Sequence, residues 1–174
     1  MQEQLSVTKE ETNRAKWPHE IFLINLIFNH ILVFASTFGV FTTFPLMILV
    51  VPVTSFAITG YIIIAGRKVA KSDETHFVKT HWSIAVKRNR AFLALLTITC
   101  SISGFGLLLS KVMGWSKIAT IALIGGVGLL PFMVSLLLLI VLGNESMYQA
   151  RHGKLPKRSD KTHADTPDSA TTSA

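Results

Sequence analysis

Four blocks of roughly twenty residues each carry no lysine, arginine, aspartate or glutamate: about 21–41, 46–65, 91–109 and 118–142. An α-helix of that length matches the hydrocarbon thickness of a bilayer, and a helix satisfies its own backbone where no water is present. The sequence therefore predicts an all-α membrane protein with four transmembrane helices arranged as two antiparallel hairpins. The last block alone holds sixteen Leu, Ile, Val or Phe residues. At roughly −0.3 to −0.6 kcal/mol each, they favour insertion by about 5–10 kcal/mol. The four glycine and proline positions Gly125, Gly126, Gly128 and Pro131 reduce that figure without reversing it.

The connections are unequal. Residues 41–45 and 111–117 are short turns, whereas residues 66–90 form a long polar stretch with seven Lys/Arg. Three more Lys/Arg lie in residues 1–20 and five in the tail, so fifteen of the seventeen fall on one side of a four-span arrangement. Only Lys111 and Lys117 fall on the other. The positive side of a membrane protein is cytoplasmic, which places both termini and the long loop there. Trp17, Trp82 and Trp115 all fall at expected membrane surfaces, as an aromatic belt requires. The net charge of +7 is thus a topology signal. No base-reading motif accompanies it, and nucleic acid is not an expected partner.

The expected organisation is a polar N-terminal segment over 1–20, a four-span domain over 21–142, and a tail over 143–174 that is basic and then disordered. Thr8 and Glu11 have the spacing of a capping box, which predicts a short helix start. Gly143 and Asn144 predict the end of the last helix. Within the long loop, Val78, Trp82, Ala85 and Val86 recur at helical spacing between basic residues, the pattern of a helix lying in the interface. Its Phe77, Lys79, His81, Trp82, Lys87, Arg88 and Arg90, with Arg151, Lys154, Lys157 and Arg158 of the tail, are the expected contacts to anionic headgroups or to a partner.

Few residues in the spans bear on chemistry. Asn25, Asn29 and His30 form an intramembrane polar cluster. Such groups are costly in lipid and turn toward other helices, either as a proton, ligand or haem site or as an interhelical hydrogen-bond cluster. Bis-histidine haem needs a second mid-span histidine, and a carboxylate relay needs a mid-span acid; neither is present. His76 and His81 are five apart, where helical metal pairs prefer four. No cofactor and no metal is expected. Ser101-Ile102-Ser103-Gly104 resembles the nucleophile turn of intramembrane serine proteases but lacks the leading glycine and a histidine partner. Thr97, Thr99, Ser101 and Ser103 are read instead as bonding back to their own helix. Cys100 reads as a small packing residue, and Cys100/Gly104 and Ala122/Gly126 as close-approach pairs within the chain or between copies.

Two stretches carry a family likeness: His76-Phe77-Val78-Lys79-Thr80-His81-Trp82, followed by Lys87, Arg88 and Arg90, and Tyr148 to Pro156 after the last span. Over roughly residues 45–157 the chain resembles small bacterial four-helix membrane proteins similar to the chloroplast inner-envelope translocon channel family. Those proteins have two apolar spans, a polar loop with Phe-Val-x-x-His, two more spans and a Gly-x-x-Pro tail. The resemblance implies the four-helix fold, a bacterial inner membrane, and family positions at His81 and Gly153. It does not extend to residues 1–20, the Asn/His cluster or the end of the tail. Three functional readings follow: a non-enzymatic accessory or scaffold subunit working through the basic cytoplasmic face with a membrane-protein partner; an oligomeric channel or transport component; or a redox subunit sharing haem with a partner.

Overall fold

The structure is a computed structural model that describes residues 6–36 and 44–155. Every regular element among them is helical. Four helices are long and apolar enough to cross a membrane: α1 (Lys9–Ser36), α2 (Val50–Lys71), α3 (His76–Val112) and α4 (Lys117–Arg151). A 3₁₀ segment, Pro45–Leu49, leads into α2. The ends holding the start of α1, the α2–α3 connection and the finish of α4 form the basic end of the bundle.

Helix α1 begins as the capping box expects. Thr8 Oγ1 accepts from the Glu11 backbone N–H at 3.2 Å, and the Thr8 N–H donates to Glu11 Oε2 at 2.8 Å. The helix is not short, however. It continues through a buried Pro18 into the apolar block. From Asn25 to Val33 it widens to π-helical bonding. That wider turn puts Asn25, Leu26, Asn29 and His30 on one buried face, while Ile24, Ile27, Phe28, Ile31 and Leu32 stay exposed. A second π segment, Leu123–Leu129, interrupts α4.

The segment expected to lie as a separate interfacial helix is instead the first part of the 37-residue α3. Phe77, Val78 and Trp82 are covered by protein, at 4%, 1% and 7% exposure. The cause is the long α1: its first turns supply the apolar cover that lipid was expected to give. Ala15 of α1 and Ala150 of α4 close that cluster, with Val69 of α2 packed beside it. The main core lies deeper and joins Phe22, Leu26, Ile62, Phe92, Leu96, Phe132, Leu136 and Leu139 from all four helices.

Helix α4 also outruns its expected stop. Gly143 is helical, and a Cβ there would sit 2.9 Å from Leu23 Cδ2, so this glycine serves the close approach of α1 and α4. The true stop is Gly153, at φ +63. The Lys154 N–H donates to Gln149 O at 2.9 Å and the Gly153 N–H to Ala150 O at 3.4 Å, a Schellman closure that also brings Leu155 against the cluster around Trp82. Gly66 plays the part of Gly143 between α2 and α3: a Cβ would meet Val86 Cγ2. Within the chain the Cys100/Gly104 and Ala122/Gly126 pairs do not approach another helix closely, since Gly104 and Gly126 both face open space and Cys100 is exposed. Thr97 and Ser101 do bond back, each hydroxyl donating at 2.8 Å to the carbonyl four residues earlier.

Candidate functional site

Two buried polar clusters occupy the bundle. The first is the intramembrane one. Asn25, Asn29 and His30 meet Ser55 of α2, all four buried. Asn29 Nδ2 donates to Val51 O at 2.9 Å and Ser55 Oγ at 3.0 Å, and lies 3.2 Å from Asn25 Oδ1. The Ser55 hydroxyl donates to Asn25 Oδ1 at 2.9 Å. His30 Nδ1 lies 3.2 Å from the Asn25 carbonyl, which can only accept, so this nitrogen carries the proton. The Phe92 and Phe132 rings cap the imidazole, with centroids at 5.2 and 5.5 Å. The cluster thus ties α1 to α2 inside apolar walls. Asn25 Nδ2 and, one turn beyond Ser55, Thr59 Oγ1 are buried without a partner.

The second cluster lies at the basic end and joins α1, α3 and the Schellman turn. His19 and His81 are both fully buried. His81 Nε2 is 3.2 Å from Lys154 O, and His81 Nδ1 is 3.4 Å from His19 Nε2. The carbonyl fixes the protons: His81 Nε2–H donates to it, His81 Nδ1 is then the acceptor of a neutral ring, and His19 Nε2–H donates to that nitrogen. His19 Nδ1 is left as a buried lone pair with no partner. The Phe77 ring stands edge-on to His81 at 4.8 Å. Around this chain, Trp82 Nε1 donates to Arg14 O at 3.1 Å and Arg88 donates to Leu142 O. Asn89 donates to Ala85 O at 2.9 Å and leaves its own Oδ1 unpartnered. Ion pairs finish the rim: Arg14 with Glu74 at 2.8 Å, and Glu20 with both Lys16 and Arg151 at 3.5 Å.

The arrangement limits the chemistry open to the histidine pair. Axial haem ligands stand on opposite faces of the macrocycle, so two imidazoles already in contact leave no place for it between them. Among the described residues no three His, Cys, Asp or Glu side chains gather as a metal-ligand set. What the pair does is fasten: it pins the carbonyl of the C-terminal turn to α3 and α3 to α1.

The expected contact residues divide three ways. Phe77, His81 and Trp82 are inside the protein and do not face lipid; Lys79, Arg88 and Lys154 are half-buried; Lys87, Arg90 and Arg151 are exposed. Lys157 and Arg158 lie outside the described residues. The two stretches that carry the family likeness come together, since His81 bonds the residue after Gly153. Sequence reasoning missed His19, Ser55, Thr59 and Asn89. A signal for the first three was present: 15, 19, 22 and 26 on α1, and 51, 55, 59, 62 and 66 on α2, advance by three and four and mark the buried stripes.

The class that these helices define is the multi-pass α-helical membrane protein. Compared with protein-family models, with curated proteins and with solved structures, the chain matches none.

Proposed function

We propose that the chain is a non-enzymatic accessory or scaffold subunit of a bacterial inner membrane, with its basic end in the cytoplasm as the working surface. The observation that carries this reading is the junction His19–His81–Lys154. It welds α1, α3 and the C-terminal turn into one rigid platform. Arg67, Lys68, Lys71, Lys87, Arg90 and Arg151 stand exposed around it. A rigid platform carrying exposed cations suits anionic headgroups or an acidic partner surface. The junction also joins the two stretches in which the chain resembles the small four-helix bacterial proteins, which supports a relationship to them. The test is co-purification of the full chain from membranes in mild detergent. The variant Lys68→Gln/Lys71→Gln/Lys87→Gln leaves the buried junction intact, and its topology is checked in the same sample. Loss of the co-purifying protein with unchanged abundance is expected; full retention overturns the cationic platform.

A transport reading has one observation in its favour, the unpartnered Asn25 Nδ2 and Thr59 Oγ1 inside the bundle. Polar groups of this kind line substrate paths when several copies assemble. Native mass in detergent separates the two readings: a defined homo-oligomer favours transport, whereas a monomer bound to another protein favours the accessory role.

A further inference from the structure

At the basic end, carboxylates gather in a groove. This groove of about 320 Å³ opens between the first turns of α1, the end of α2 and the start of α3. Trp17, Trp82 and Val69 give it apolar walls, and Glu10, Arg14 and Glu74 supply its charge. Two carboxylates against one guanidinium leave the groove net negative, beside the exposed cations Arg67, Lys68 and Lys71. Topology signals do not account for those carboxylates, because they concern lysine and arginine.

The charged groups are also set apart in role. Arg14 pairs with Glu74 at 2.8 Å, and its side chain is still 55% exposed, so donors of the guanidinium fork remain available. Glu10 is exposed and makes no ion pair or hydrogen bond among the described residues. Trp17 is half-exposed at the surface end of α1, and Ile24, Ile27 and Phe28 follow it as exposed apolar residues. The groove thus sits where indole rings meet headgroups and the helix below meets acyl chains. A ligand entering there meets the exposed Glu10 carboxylate and the half-exposed Trp17 indole, which favour a cation, and a guanidinium, which favours a phosphate.

We infer that this groove binds the headgroup of a zwitterionic phospholipid bearing a primary amine, a phosphoethanolamine. Its ammonium lies at Glu10 beside the half-exposed Trp17 ring, and its phosphate takes the open donors of Arg14. A primary amine is preferred to a trimethylated one because the carboxylate can accept its N–H bonds. The experiment uses the full chain in detergent, delipidated, with equal phosphatidylethanolamine and phosphatidylcholine of identical acyl chains, read by native mass spectrometry. Wild type is expected to retain the ethanolamine lipid in preference. Glu10→Gln is expected to reduce that retention about tenfold, the effect of losing one charge-assisted hydrogen bond. Glu10 makes no ion pair or hydrogen bond among the described residues, so the variant loses only the favourable charge at the first turn of α1 and stays folded. Equal retention of both lipids by wild type, or a preference that survives Glu10→Gln in a folded protein, overturns the assignment.

Discussion

The basic half of the bundle and the opposite half are held together by different means. At the basic half, buried side chains come from α1, α3 and α4 in nearly every turn: Ala15, His19 and Phe22 against Phe77, His81 and Ala85, with Ser146 and Ala150 across from them. At the opposite half, among the described residues, α3 and α4 bury few side chains. Beyond Leu96 the buried residue of α3 is Gly106, and before Phe132 those of α4 are Thr120 and Gly128. A Cβ at Gly106 would lie 3.1 Å from Ile124, and one at Gly128 3.4 Å from Ile102. In lipid, apolar side chains gain little by leaving the solvent, so helices adhere through close backbones or polar contacts. The basic half uses both, with Gly66 and Gly143 at its close approaches, whereas the described part of the opposite half relies on the first. The lesson is that specificity, the only kind of contact a partner or a pH change can alter selectively, is concentrated at the basic half.

Core truncation should show the largest difference. Phe92 is fully buried against Phe22, Phe132 and His30, whereas Phe105 on the same helix is 60% exposed. Phe92→Ala should lower stability in detergent by roughly 2–4 kcal/mol through the cavity it leaves. Phe105→Ala should stay within about 0.5 kcal/mol. Equal losses in thermal unfolding would mean that the opposite half is as tightly packed.

Glycines give the next contrast. Gly66→Ala and Gly143→Ala put a methyl into Val86 and Leu23, and each should cost about 1–3 kcal/mol. Gly104→Ala meets open space and should gain up to about 1 kcal/mol from helix propensity. Melting temperatures that move together for all three would remove the distinction between contact and open glycines.

Polar deletions should be smaller and still ordered. His81→Leu leaves Lys154 O and the His19 Nε2–H buried without partners, and should cost about 1–3 kcal/mol. Its signature beyond stability is faster amide exchange at Gly153 and Lys154, because the turn loses its anchor. His30→Gln keeps a hydrogen-bonding group in the intramembrane cluster and should cost about 1 kcal/mol or less. Loss of cellular function in His30→Gln at normal abundance would assign that cluster a chemical role and shift the balance toward transport.

The parts of this design legible in the sequence were those governed by composition along the chain. Absence of charge located the four apolar helices, and capping-box spacing located the start of α1. Asn25, Asn29 and His30 were legible as a cluster because they are polar in an apolar block. The misreadings share one cause, which is that burial by a distant segment leaves no local mark. The stretch 76–90 has an interfacial pattern of basic and apolar residues, yet Phe77, His81 and Trp82 are covered by α1 residues more than sixty positions earlier. Gly143 has the composition of a stop but serves as a contact, and Gly153, ten residues on, provides the stop. His19 sits among charged residues, and only the α1–α3 packing makes it the partner of His81.

The claim on which the rest depends is that the basic end faces the cytoplasm. Whole cells expressing single-cysteine chains in a Cys100→Ala background, treated with a membrane-impermeant thiol reagent, test it directly. Asp73→Cys reports the α2–α3 connection and Met113→Cys the α3–α4 turn, both exposed and neither in the buried clusters. Labelling at 113 in intact cells, with labelling at 73 only after permeabilisation, is the expected result. Labelling at 73 in intact cells, with 113 protected until permeabilisation, would invert the protein and contradict the account.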